Sequence, residues 1–146
     1  MLKNFTILLI ISVFSLSFNA CTKVDKQAPN HFIKKSSWTV TKLTIGYDNI
    51  ESLPNWDLAT DQTGTAIWNH AGGSHSNFYW SFSKNYNTFE FYVDVNDPAN
   101  KINQAYKQCQ NLSGKYEVLT NKKNLFEFES YETTGYLGPR VYIRIE

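Results

Sequence analysis

The sequence is short of the residues that staple or punctuate a protein and of any surplus of one charge. In 146 residues it has two cysteines, one methionine, four prolines and seven glycines. Two cysteines rule out a framework of several disulfides, and their positions, Cys21 and Cys109, rule out any Cys-x-x-Cys metal motif. Neither sign of charge dominates, with fourteen Lys and Arg against thirteen Asp and Glu. A chain so balanced has no general electrostatic reason to hold nucleic acid, whose affinity comes mainly from neutralised phosphates. It has no polybasic patch for anionic lipid either. No apolar run reaches the roughly 20 residues that a membrane-spanning helix needs. No internal repeat or low-complexity tract is visible.

The longest apolar run, Phe5 to Phe18, follows Lys3 and ends at Asn19-Ala20. A lysine followed by an apolar run of about fourteen residues at the N-terminus has the pattern of a secretory signal. Ordinary cleavage after Ala20 would set bulky Phe18 where a small residue is wanted; cleavage after Ser17, with Ser15 and Ser17 as the small pair, is the competing cut. The run Leu16-Ser17-Phe18-Asn19-Ala20-Cys21 resembles a lipobox of the kind found in Bacteroidetes lipoproteins. That resemblance implies cleavage before Cys21, a diacylglycerol thioether on its sulfur and an N-acyl chain. Two or more chains hold a protein firmly at a membrane, since each buried methylene contributes about 0.8 kcal/mol. The expected organisation is a signal peptide over 1–20, a tether over 21–36 and one β domain over 37–146. The tether carries Lys23, Lys26, Lys34 and Lys35, and Thr22 in place of aspartate points to the outer membrane. Cys109 then has no intramolecular partner and reads as a buried, inert thiol.

What the chain does have is aromatic side chains, 16% of its residues. They alternate with polar residues at period two, the pattern of strands with one buried face. Phe78, Trp80 and Phe82 form one such set, and Phe89, Phe91, Val93 and Val95 another. The four-residue loop Lys84–Asn87 between them predicts an antiparallel hairpin. Tyr116 and Val118, a polar turn at Asn121–Asn124, and Phe126 and Phe128 predict a second hairpin. Val141, Ile143 and Ile145 close the chain as a strand. Near the start, Trp38 and Val40 give way to Leu43 and Ile45, a change of parity that predicts a bulge at Thr41-Lys42. Short strands are expected at Trp56–Ala59 and Thr65–His70. Asp97-Pro98 reads as a helix start, and Ile102, Ala105, Tyr106, Cys109 and Leu112 recur at helical spacing, predicting a helix over 98–110.

Seven or eight short strands joined mostly by hairpins imply a mainly β fold, either a single antiparallel β-barrel or a β-sandwich, with one short helix. Ser37-Trp38-Thr39-Val40, Trp80-Ser81-Phe82-Ser83 and Ser113–Val118 resemble lipocalin-like domains of small Bacteroidetes lipoproteins. That resemblance implies a barrel with an interior binding site for a small hydrophobic ligand. Trp38, Trp80, Phe82, Phe89, Phe91, Phe126 and Phe128 are the candidate lining, against the plainer reading that these rings fill a core. The opposite-face tyrosines Tyr79, Tyr92 and Tyr142 suggest a different role, an exposed aromatic row for a glycan or a protein partner.

Catalytic patterns are absent from the sequence. His70 and His75 flank a glycine turn without an identified third metal ligand. Asp57 and Asp61 read as turn-capping carboxylates. Ser74 and Ser113 lack the Gly-x-Ser-x-Gly elbow. No glycine-rich loop has phosphate-binding form. Asn111-Leu112-Ser113 matches a glycosylation sequon and is read as coincidental. The expectation is a non-enzymatic protein without cofactor or metal. Replacing Cys21 with serine should release the protein from membranes or leave its precursor uncut; unchanged membrane fractionation would refute the anchor.

Overall fold

The computed structural model describes residues 28–59, 63–98, 100, 103–133, 135 and 138–146. The leader and Cys21 lie outside the described residues, as do Asp61 and Ile102. The elements in chain order are α1 (Ala28–Ile33), β1 (Ser37–Ile45), β2 (Asp48–Asn49), β3 (Asn55–Leu58), β4 (Thr65–Asn69), β5 (His75–Phe82), β6 (Thr88–Val93), α2 (Gln104–Leu112), β7 (Gly114–Lys122), β8 (Leu125–Thr133) and β9 (Val141–Ile145). Eight strands, β1 and β3 to β9, pair antiparallel in that order, and β9 returns to β1. The sheet is a closed barrel, so the sandwich alternative falls. β2 only folds back on the end of β1.

β1 makes the closure possible because its two halves serve different neighbours. Ser37, Trp38 and Thr39 pair with β3, and the stretch from Val40 to Ile45 pairs with β9. The register shifts between Val40 and Lys42, where the change in apolar parity predicted a bulge. The bulge turns Leu43 inward after Trp38 and Val40, so one strand feeds the core from both halves. The β5–β6 hairpin also forms as the alternation predicts, with Tyr86 at φ 60 in its loop.

Other expectations shift. The second hairpin turns at Lys123-Asn124 alone, because Asn121 pairs with Phe126 and Lys122 with Leu125. Backbone pairing asks nothing of side-chain polarity, so the strands run further than the apolar pattern. α2 begins at Gln104 rather than 98: Asn103 caps it, its Oδ1 accepting from Tyr106 N at 2.7 Å. Asp97 starts a separate turn, its carbonyl accepting from Asn100 N at 3.2 Å. The helical spacing itself holds, since Ala105, Cys109 and Leu112 all face the core. The stretch expected as tether is described from Ala28 onward, where it forms α1 and buries Phe32 in the barrel.

The two helices close the two ends of the ring-filled interior. At one end Phe32 is fully buried, and its carbonyl accepts from Trp38 Nε1 at 3.0 Å. At the other, α2 is pinned through Gln108, whose Oε1 accepts from Trp68 Nε1 at 2.9 Å and whose Nε2 donates to Ser52 O at 2.9 Å. Tyr116 donates to Leu112 O at 2.5 Å beneath the same helix. Gly64 holds the β3–β4 loop at φ 76, with a Cβ there only 2.9 Å from Trp80 O, so no other residue suits the position. Phe32→Ala should cost roughly 3–5 kcal/mol by urea denaturation, the usual loss for a buried Phe; a change under about 1 kcal/mol would show that α1 is not seated in the barrel.

Candidate functional site

The seven rings expected to line a ligand site do come together inside the barrel. Trp38, Phe89, Phe91, Phe126 and Phe128 are buried, and the half-buried Trp80 and Phe82 pack against them. Five of the seven surround the protein's own Phe32. Its ring lies 4.8 Å from Trp80, 5.4 Å from Phe89, 5.5 Å from Phe126, 5.6 Å from Phe82 and 5.7 Å from Trp38, centroid to centroid. Phe91 and Phe128 lie deeper, around Trp56, which also meets Trp68 and Phe78 at 5.5 and 5.7 Å. An eight-stranded barrel is just wide enough for side chains to fill, and here rings fill it. Sequence reasoning missed Phe32 because α1 is one turn and a half, with no repeat long enough to read.

The outer wall holds the concave site. Pairing aligns Asp57 with Ile67 and Ile67 with Asn77, and Asp94 N donates to Asn77 O at 2.8 Å. A neighbouring row aligns Thr65, Tyr79 and Tyr92. Between the two rows lies a half-open groove of about 390 Å³ lined by Asp57, Ile67, Asn77, Tyr79 and Asp94 with the backbone beneath them. Ile67, Tyr79 and Tyr92 stay 39%, 48% and 43% exposed. The alternation marks these positions as outward, but pattern alone does not reveal which outward residues of four strands share a groove.

The polar groups there are held in place. Tyr79 donates to Asp94 Oδ2 at 3.1 Å, and Asn96 N donates to Asp94 Oδ1 at 2.9 Å. Asn69 Nδ2 donates to Asp57 Oδ2 at 2.7 Å, and Asn77 Nδ2 to Asp97 Oδ2 at 3.0 Å. The hydrogen bond to Asp94, and that carboxylate's charge, hold the Tyr79 phenol above its ordinary range. Tyr142 does not join Tyr79 and Tyr92 in a row, because β9 lies on another side of the barrel.

The remaining chemical candidates serve the framework. His70 Nδ1 accepts from Gly72 N at 2.9 Å within the β4–β5 turn. Ser74 Oγ accepts from Ala105 N at the start of α2. Ser113 Oγ accepts from Val93 N and donates to Cys109 O. Cys109 is fully buried, and burial pushes its thiol well above the usual range. Among the described residues no group of three or more His, Cys, Asp and Glu could hold a metal ion, and no helix is long and apolar enough to cross a membrane.

Tyr142 belongs to a brace across β7, β8 and β9. It donates to Glu127 Oε1 at 2.6 Å, Thr120 Oγ1 meets Glu127 Oε2 at 2.5 Å, and Arg144 stands 3.8 Å away. Desolvation and the bond to Glu127 push Tyr142 up to about 12.

No protein-family model and no curated protein matches the chain. Solved structures distantly similar to the chain include the following two. One is an uncharacterized protein from Bacteroides eggerthii, 13% identical, over 76% of this chain and 98% of its own, with a TM-score of 0.45. The other, described as EF1p2_mFAP2b bound to DFHBI, is 12% identical over 83% of this chain and 98% of its own, at 0.44.

The hydrogen bonds from Thr120 and Tyr142 hold Glu127 below the ordinary carboxylate range. A depressed carboxylate contributes stability in full above its unfolded value near 4.5, and the contribution is lost as pH falls through the lower folded value. Glu127→Gln should therefore lower the urea midpoint at pH 7, with the gap to wild type narrowing as pH falls below the unfolded value and through the lower folded one. A gap that persists at low pH would show that the brace does not act through the ionised carboxylate.

Proposed function

We propose that this protein is a lipid-anchored, non-enzymatic lipoprotein of the outer membrane whose lipocalin-like barrel binds a small ligand on its outer wall. The leader and Cys21 support the anchor, through the resemblance to a lipobox. One observation supports the outer wall: the ring-lined interior already holds Phe32, whereas the groove beside Tyr79 stands open. Pre-aligned polar groups around an exposed ring form a binding surface that loses little freedom on complex formation. The chemistry suits binding rather than turnover, since His70, Ser74, Ser113 and Cys109 are committed to turns, caps and the core.

A second reading keeps the hydrophobic ligand inside the barrel after α1 leaves. The buried Trp56 indole N–H favours it, having no hydrogen-bond partner among the described residues. Such a donor costs about 1–3 kcal/mol unless an acceptor reaches it. One comparison separates the two. Ligands carried by the detergent-extracted protein are detected by native mass spectrometry in wild type, Tyr79→Ala and Phe32→Ala forms. Loss in Tyr79→Ala with retention in Phe32→Ala is the expected result. Ligand retained in Tyr79→Ala and increased in Phe32→Ala, where the plug no longer competes, would place it inside.

A further inference from the structure

The groove's charge and shape specify what it can take. Asp57 and Asp94 stand at its two ends, on β3 and just past β6. Three strand spacings of about 4.8 Å separate them, about 14 Å along the wall. Between them the surface is apolar or neutral, with the exposed Ile67 side chain, the Asn77 amide and the Tyr79 ring. No lysine, arginine or histidine lines the groove, and neither Asp57 nor Asp94 forms an ion pair among the described residues. Each carboxylate has its orientation fixed by a neutral donor, Asn69 for Asp57 and Tyr79 for Asp94, so the negative charge is placed but not neutralised.

Two anionic ends with an apolar middle are the complement of a chain with cationic ends and a methylene body. Anionic ligands such as phosphates and acidic sugars meet two like charges here and no cation. A neutral sugar would leave both charges uncompensated. We propose that this groove binds a linear polyamine, its terminal ammonium groups against Asp57 and Asp94 and its methylenes over Ile67 and the Tyr79 ring. The ring adds a cation–π surface for an internal ammonium. The bond from its hydroxyl to Asp94 keeps that surface in one orientation. The proposal rests on the outer-wall reading above.

Isothermal titration of the lipidated protein in neutral detergent with spermidine tests it. One equivalent should bind, with affinity falling at least roughly tenfold in the Asp57→Asn, Asp94→Asn double variant and weakening between about 50 and 500 mM NaCl. Both asparagines keep an acceptor for Asn69 and Tyr79, so the barrel is not disturbed. Absence of binding, or binding unchanged in the double variant, would overturn the proposal. Binding of maltotriose in place of spermidine, lost in Tyr79→Ala, would overturn the polyamine but leave the outer wall as the site. Spermidine binding strengthened by Phe32→Ala and untouched by Tyr79→Ala would overturn both.

Discussion

Everything in this molecule depends on how eight short strands enclose a volume that aromatic rings fill. Rings as large as Trp38, Trp56, Trp68, Phe89 and Phe126 leave little room in a barrel of this size, and all five are fully buried. Phe32 completes the packing from outside the strand sequence, set among five rings at centroid distances of 4.8–5.7 Å. Edge-to-face and offset contacts of this kind add about 0.5–1.5 kcal/mol per pair beyond area burial. The same side chain ties the segment that follows the expected lipid anchor to the body of the domain.

On the reading proposed above, a filled interior moves recognition to the wall. In a closed barrel the outward positions of neighbouring strands form rows across the sheet, and pairing decides which residues meet. Here it brings Asp57, Ile67, Asn77 and Asp94 into one row and Tyr79 with Tyr92 into the next. None of these contributes to the core. Their composition is therefore free to serve a ligand, and hydrogen bonds that fix Asp57, Asn77, Tyr79 and Asp94 limit the ordering cost of binding. The opposite chemistry appears at Glu127, where Thr120, Tyr142 and Arg144 consume the carboxylate in a brace between strands.

Much of the fold was legible because period two and ring placement agree. Phe78 through Phe82, Phe89 through Val93, and Val141 through Ile145 alternate in sequence and turn the same residues inward in the barrel. The parity change after Val40 marked the bulge that lets β1 face both β3 and β9. The start of α2 misled because Asp97-Pro98 carries the local chemistry of a helix start, while Asn103 makes the actual cap. α1 was illegible: a single buried ring in six residues leaves no period to detect. The interior rings were identified as a set, but only three-dimensional packing shows Phe32 among them. The groove was partly legible, with Asp57 and Tyr79 singled out for separate reasons and Ile67, Asn77 and Asp94 not at all, because cross-strand register is not written in any one strand.

The central claim is that Phe32, not a ligand, occupies the ring cage. Nuclear Overhauser contacts between the Phe32 ring and the rings of Trp38, Phe89 and Phe126 test it most directly. The account predicts strong contacts to all three rings, unchanged when ligand is added. Their absence, or their loss on ligand addition, would contradict it and return the binding site to the inside of the barrel.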